Sequence, residues 1–92
     1  MGVMKVNVTI ELFGVPRLRA GAGCLTVEAA TVGDALAALV RSAPALVELV
    51  TRSGALNPAY RLCLNTDRFV SDPATLLADG DALLILAADA GG

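Results

Sequence analysis

Residues 82–88 read ALLILAA, a run that is apolar at every position. Because a strand points successive side chains to opposite faces, this run is apolar on both faces of a sheet. Strands of this kind lie inside sheets, with a helix covering at least one face. Asp79-Gly80-Asp81 stands just before the run and predicts a tight turn, since glycine supplies the backbone freedom that such a turn needs. We therefore expect residues 82–88 to form a central strand.

The beginning of the chain predicts a second strand and a hairpin. Apolar and polar residues alternate through residues 5–12, which is the pattern of a half-buried strand. Residues 24–28 alternate in the same way. Between the two, residues 13–23 contain Pro16 and several glycines, which predict a turn or a longer hairpin loop.

Residues 31–43 predict the main helix. Thr31 and Asp34 have the spacing of a capping box, in which the hydroxyl accepts a bond from an otherwise free amide and the acid favours the positive helix end. Apolar residues follow at helical spacing and form one stripe. Pro44 cannot continue this helix but suits the first turn of another, so we expect a short second helical segment within residues 44–53.

The later elements are shorter. Alternation over residues 60–65 predicts a third strand, and residues 69–70 predict a very short fourth one. Turns are expected at residues 65–67 and 71–73, the second with a helical turn that reaches Leu76.

This order predicts an α+β fold, a mixed sheet of four to five strands with one main helix packed across one face. A right-handed crossover places the first and last strands side by side and parallel at the centre of the sheet. That arrangement is a β-grasp, or ubiquitin-like, fold. We expect residues 1–88 to form one such domain and residues 89–92 to form a flexible C-terminal tail.

Composition limits the function. Hydrophobic residues make up 55% of the chain and charged residues 17%, so it is not disordered by composition. The net charge of −2 argues against a nucleic-acid partner. The absence of histidine excludes serine–histidine triads and histidine metal sites. No apolar run approaches the ~20 residues that span a bilayer. We expect a cytoplasmic protein with no membrane partner, which is not an enzyme acting alone.

Few side chains are candidates for chemistry. Cys24 and Cys63 lack a CxxC spacing and are interpreted as small strand residues, although the sequence leaves a disulfide open. Asp79 and Asp81 are interpreted as turn formers and not as a catalytic pair. Arg61 and a neighbouring turn arginine, Arg68, are interpreted as solvated charges, with contacts to a partner as the alternative.

One face of the last strand predicts a partner surface. The face away from the helix is drawn either from Leu83 and Ile85 or from Leu84 and Leu86. It is exposed unless residues 45–58 cover it, and an exposed apolar patch marks a docking site. Phe69 is assigned either to this patch or to the core.

The sequence ends with Gly91-Gly92. A backbone without side chains can thread a narrow channel into another protein, and it leaves the terminal carboxylate uncrowded. A carboxylate is a poor acyl donor until it is activated, and adenylation with ATP would make Gly92 a good one.

With these features, the chain resembles the MoaD/ThiS family of ubiquitin-like sulfur carrier proteins. The resemblance rests on Leu12-Phe13-Gly14, on Leu62-Cys63-Leu64-Asn65, and on the ending from Asp79 through Leu83-Leu84-Ile85-Leu86 to Gly91-Gly92. It implies that an E1-like activating enzyme adenylates Gly92 with ATP and that a sulfur donor converts it to a thiocarboxylate. By the same resemblance, Gly91 shares the passage into partner sites, and no cofactor is permanently bound.

The resemblance implies more than one acceptor pathway for the sulfur. The length and the segment 45–58 resemble the small subunit of molybdopterin synthase, which implies the large subunit of that enzyme as the sulfur acceptor. Residues 87–90 lack the proline that often precedes the tail in those subunits. Carriers for cysteine, thiamine or secondary-metabolite sulfur transfer are therefore alternatives. So are a ubiquitin-like modifier conjugated to lysine and a non-covalent β-grasp adaptor.

Overall fold

The computed structural model describes residues 4–88. Its secondary structure follows the predicted order, with one additional helix near the start. The elements are β1 (Val6–Leu12), α1 (Gly14–Ala20), β2 (Cys24–Ala29), α2 (Val32–Ser42), a 3-10 helix (Pro44–Leu49), β3 (Tyr60–Leu64), β4 (Arg68–Val70) and β5 (Ala82–Ala87).

The strands form one mixed sheet in the order β2-β1-β5-β3-β4. β1 and β5 are parallel neighbours, with Ile10 opposite Leu83, and the other neighbouring strands are antiparallel. β5 therefore lies at the centre, as its apolar sequence predicted. The predicted α+β architecture and the parallel pairing of the first and last strands are confirmed.

The main helix packs on one face of this sheet. The hydroxyl of Thr31 accepts a hydrogen bond from the Asp34 amide at 3.2 Å, which confirms the predicted N-terminal cap. Leu36 and Leu39 of this helix are fully buried against the sheet, together with inward-facing residues of β1 and β5. Within residues 4–88 no charged or polar residue is buried, so apolar burial holds this layer together.

The prediction of a turn or loop between β1 and β2 is wrong, because residues 14–20 form the helix α1. Pro16 lies in its first turn, where a missing amide hydrogen costs no helical bond. Gly21 ends the helix in the left-handed conformation with φ of 72°, and its amide donates to the Arg17 carbonyl at 3.1 Å. The proline and glycine that were interpreted as loop residues are therefore helix boundaries.

The helix α1 is held against the 3-10 helix. Arg19 forms an ion pair with Glu48 across this contact, and both side chains are exposed. The hydrogen bond from Arg19 to the Glu48 carboxylate raises the pKa of Arg19 above its usual value. The 3-10 helix itself confirms the helical segment that was predicted after Pro44.

The structure also decides between the alternatives for the second face of the sheet. Residues 45–58 do not cover that face, because Leu46 and Leu49 are buried in the same core as α2. The helical turn predicted to reach Leu76 is wrong. That residue forms an isolated bridge with Thr31, so the segment instead lies alongside the start of α2.

None of the helices within residues 4–88 is long and apolar enough to cross a bilayer.

Candidate functional site

The strand that leads to the glycine tail is anchored up to its last described residue. The amide of Ala88 donates a hydrogen bond to the Ala59 carbonyl at 2.8 Å, one residue beyond the end of β5. Gly91 and Gly92, the predicted reactive residues, lie outside the described residues. Because Tyr60 is paired with Ala87, β5 ends beside the beginning of β3. We call the surface around this point the tail base.

The sheet face opposite α2 is the second part of the site. Strand register places five residues in one row across this face. In order across the sheet they are Cys24, Glu11, Leu84, Cys63 and Phe69. Leu86 follows Leu84 on the same face, opposite Arg61. We call Cys63, Phe69, Leu84 and Leu86 the open sheet face.

The structure decides which residues of β5 can contact a partner. Leu83 and Ile85 are 0% exposed and lie in the core, so their prediction as surface residues is wrong. Leu84 and Leu86 are only half-buried. Phe69 is 59% exposed and belongs to this face and not to the core. Whether a partner docks here stays a prediction, but its candidate residues are now Phe69, Leu84 and Leu86.

A cation lies over the exposed aromatic ring of the open sheet face. The Arg61 guanidinium carbon is 5.6 Å from the centre of the Phe69 ring, within the range of cation–π attraction. Arg61 is exposed, as is Arg68, but Arg68 is paired with the buried Leu64 and therefore lies on the opposite face from Phe69. An apolar face bordered by the arginine at position 61 is suited to a protein surface that pairs apolar residues with carboxylates.

Two surface cavities meet at Tyr60 beside the tail base. One, of about 190 Å³, is formed by the start of α1 and the end of β5, with Phe13, Val15 and Leu86 in its lining. The other, of about 310 Å³, extends between Leu56 and Phe69. Phe13, Val15 and Tyr60 were not among the predicted site residues, because their proximity depends on α1. The pairing of Pro16 with Gly21 was the one sequence signal for that helix.

The two aspartates before β5 are structural. Asp79 accepts a hydrogen bond from the Asn7 amide at 2.9 Å. Asp81 accepts one from the Ala78 amide at 2.8 Å and another from the Asn65 side chain at 2.9 Å. These bonds fix the turn on either side of Gly80 and confirm the interpretation of both acids as turn formers.

The two cysteines are free thiols on different strands. They share the row across the sheet but are separated by three strand spacings, about 14 Å in all. A disulfide requires Cα atoms closer than about 7 Å, so the fold excludes an intramolecular bond between Cys24 and Cys63.

The described residues hold no group suited to bind a metal ion. Between residues 4 and 88, no three histidine, cysteine or acidic side chains come together.

Comparison with known proteins gives the family. No protein-family model and no curated protein matches the chain. Among solved structures, small archaeal modifier protein 1 from Haloferax volcanii is 30% identical. The match covers 94% of this chain and 99% of that one, with a TM-score of 0.79. The chain belongs to the MoaD/ThiS family of ubiquitin-like sulfur carrier proteins.

Two further structures agree with this assignment. Small archaeal modifier protein 1 from Methanosarcina acetivorans is 26% identical, with 96% of this chain and 98% of that one covered and a TM-score of 0.81. The Amycolatopsis orientalis BexX/CysO complex contains a chain that is 24% identical, with 92% and 99% covered and a TM-score of 0.78. At that identity, the complex shows a shared fold. The β-grasp fold and the general class of small carrier and modifier proteins are therefore established.

Proposed function

We propose that this member of the family carries sulfur as a thiocarboxylate on Gly92. The observation that supports the proposal is the position of the strand that precedes the tail. β5 is the central strand of the sheet, it is anchored through Ala88, and it leads into Gly91-Gly92 beside an exposed apolar face. A partner that binds the open sheet face holds the start of the tail at a fixed distance from its own active site.

The chemistry is divided between the chain and its partners. A carboxylate oxygen of Gly92 attacks the α-phosphorus of ATP, and pyrophosphate leaves. A nucleophilic sulfur from the donor then attacks the acyl adenylate, and AMP leaves. When the donor sulfur is hydrosulfide, loss of a proton leaves the thiocarboxylate directly. When it is a persulfide, a thiol of the donor system reduces the resulting acyl disulfide, and the sulfur remains on the chain as the thiocarboxylate. In this scheme the chain is a co-substrate, because the group that reacts is its own terminal carboxylate.

The proposed partners are an adenylating enzyme of the E1-like class, a sulfur donor and a sulfur acceptor enzyme. CysO, which shares the fold, forms a complex with BexX, and the open sheet face gives this chain a comparable means of docking. For the acceptor we propose the molybdopterin synthase large subunit, on the basis of the chain length and segment 45–58. The proposed location is the cytoplasm, where ATP is available, and ATP is bound by the activating enzyme and not by this chain.

The test is reconstitution with the activating enzyme, ATP and a sulfide source. We expect exchange of labelled pyrophosphate into ATP that depends on the chain, followed by a mass increase equal to replacement of one oxygen by sulfur. A Gly92-deleted chain is the matched control, because it retains residues 4–88 and moves the terminal carboxylate back by one residue, to Gly91. Exchange that persists with the control would contradict the assignment of Gly92.

A second candidate is a ubiquitin-like modifier. It is favoured by the 30% identity to small archaeal modifier protein 1. A modifier uses the same adenylate but transfers the glycyl group to a lysine amine of a target, so the two functions share the first step and diverge at the second. Tail-dependent conjugates in cell extract indicate the modifier, and a tail-dependent thiocarboxylate indicates the carrier.

A further inference from the structure

The two edges of the sheet differ in how far they are protected. β4, at one edge, has three residues and begins with the exposed Arg68. β2, at the other edge, has six residues, no proline and one charged residue, Glu28. Short length, charge and proline are the usual features that keep an edge strand from pairing with another chain. Within residues 4–88, β2 pairs with β1 alone, so its outer side is open to a further strand.

The register with β1 shows which backbone groups of β2 point outward. The Leu12 amide donates to the Gly23 carbonyl at 2.9 Å, so every second residue from Gly23 onward bonds to β1. The residues between them, Cys24, Thr26 and Glu28, direct their amides and carbonyls away from β1. All three residues are exposed. The open edge thus presents alternating donors and acceptors in a row, which is the pattern that a further strand recognises.

A second copy of β2 fits this row. Two β2 strands that run antiparallel about a two-fold axis at Thr26 place Thr26 opposite Thr26 of the other copy and Glu28 opposite Cys24. In this register each outward amide meets an outward carbonyl, and no two like charges stand opposite each other. The edge is therefore complementary to itself, as a two-fold interface requires.

The helix side of this edge has room for the added side chains. A surface groove of about 560 Å³ borders β2, with Thr26, Val27, Ala38 and Arg41 in its lining. In the antiparallel pair, the half-buried Leu25 of the second copy stands opposite Val27 and enters this groove. Pairing therefore buries apolar surface in addition to forming backbone hydrogen bonds, and both effects favour association.

Opposite charges lie at the two ends of this edge. Arg17 lies at the beginning of β2, since a Cβ atom added to Gly23 would stand 3.0 Å from its guanidinium carbon. Glu28 lies near the other end of the strand. Both side chains are exposed, and neither takes part in an ion pair with another of residues 4–88. An antiparallel second copy brings Glu28 of each molecule to the end that carries Arg17 of the other, so the attraction occurs twice in the pair.

We propose that β2 is a self-association edge, and that its ligand is β2 of a second copy of this chain, paired antiparallel about Thr26. The two sheets become one continuous sheet, with both α2 helices on the same face. β1 and β5 separate β2 from β3 and β4. The dimer therefore leaves Phe69 and the rest of the open sheet face of each copy accessible to another protein.

Analytical ultracentrifugation of the full chain over a range of concentrations tests the proposal. We expect the mass of the unmodified chain to rise toward that of a dimer as the concentration increases. Thr26→Pro removes an outward amide at the centre of the pair and keeps the bonds to β1, because the Thr26 amide points away from β1. Thr26→Val is the matched control, since it keeps that amide and a β-branched side chain. We expect Thr26→Pro to stay monomeric and Thr26→Val to dimerise like the unmodified chain.

Charge reversal is a second test that does not depend on a proline variant. Glu28→Arg and Arg17→Glu each bring like charges together at both ends of the pair. Each variant alone should therefore associate roughly tenfold more weakly than the unmodified chain. An equimolar mixture of the two variants has opposite charges at both ends and should dimerise again. If Thr26→Pro does not fold by circular dichroism, this mixture decides the question.

Three results would overturn the self-association edge. They are an unmodified chain that stays monomeric at every concentration, a folded Thr26→Pro that dimerises like Thr26→Val, and a mixture of the charge variants that remains as weakly associated as each variant alone. None of these measurements involves Gly92, so their outcome is independent of the proposed carrier function.

Discussion

Leu83 and Leu84 are adjacent on β5 but have opposite roles in the sheet. Leu83 is fully buried beneath α2, and Leu84 is half-exposed on the open sheet face between Glu11 and Cys63. We expect Leu83→Ala to lower the free energy of unfolding by about 2–5 kcal/mol, because it removes buried methyl groups and leaves a cavity. Leu84→Ala should lower the free energy of unfolding by less than Leu83→Ala does, since water already reaches the Leu84 side chain.

Urea denaturation of both variants measures this difference. Equal losses for the two variants would contradict the assignment of Leu84 to the open sheet face.

Phe69 should matter for binding and not for folding. Its ring is 59% exposed and is contacted by Arg61, so Phe69→Ala should leave the melting temperature nearly unchanged. Central aromatic anchors are worth about 2 kcal/mol or more at interfaces, which corresponds to a loss of roughly 30-fold in affinity for the activating enzyme. Isothermal titration calorimetry provides the measurement.

Leu76→Ala is the matched control for Phe69→Ala. Leu76 is 64% exposed, but it lies beside the start of α2 and away from the open sheet face. We expect this control to bind like the unmodified chain. If Phe69→Ala also binds like the unmodified chain, the Phe69 ring is not part of the docking surface.

Asn65 should stabilise the entry into β5. Its backbone has φ of 55°, and its side chain accepts a bond from the Ala82 amide at 2.8 Å while donating to Asp81. Asn65→Ala loses both bonds and keeps a left-handed backbone that alanine disfavours, so we expect a loss of about 1–3 kcal/mol.

Asn65→Gly separates these two contributions, because glycine adopts the same φ freely and forms neither side-chain bond. It should be less destabilised than the alanine variant in the same denaturation experiment. A glycine variant that is the less stable of the two would show that the backbone conformation is not a cost at this position.

The two thiols should respond separately to oxidation and alkylation. The strand register keeps Cys24 and Cys63 about 14 Å apart, so a mild oxidant should produce no intramolecular disulfide, as intact mass will show.

Alkylation of Cys63 should weaken docking of the activating enzyme, because the added group stands between Leu84 and Phe69. Cys24→Ser and Cys63→Ser show which thiol is responsible. We expect alkylation to leave docking unchanged in Cys63→Ser and to weaken it in Cys24→Ser. The reverse result, with docking preserved only in Cys24→Ser, would contradict this account.

Much of the sheet could be predicted from local pattern. The alternation of residues 5–12 and the capping spacing of Thr31 and Asp34 are signals within a few residues of one another, and both were confirmed. The exposed face of β5 could not be predicted in the same way. A strand that is apolar at every position has no alternation to show which face meets the helix, so only packing decides between Leu83 and Leu84.

The helix α1 was missed for a related reason. Pro16 and Gly21 fit a loop as well as they fit the first turn and the cap of a short helix. The choice depends on tertiary contacts, including the packing of this helix against the 3-10 helix through Arg19 and Glu48. The cavity beside Tyr60 depends on that packing, so it could not be predicted from the local sequence pattern.

The central claim is that Gly92 carries sulfur, and the intact mass of the chain isolated from its native cells tests it most directly. We predict a species heavier than the free acid by the replacement of one oxygen with one sulfur, which disappears when Gly92 is deleted. Detection of the free acid alone, in cells that contain the activating enzyme and a sulfur source, would contradict the carrier function.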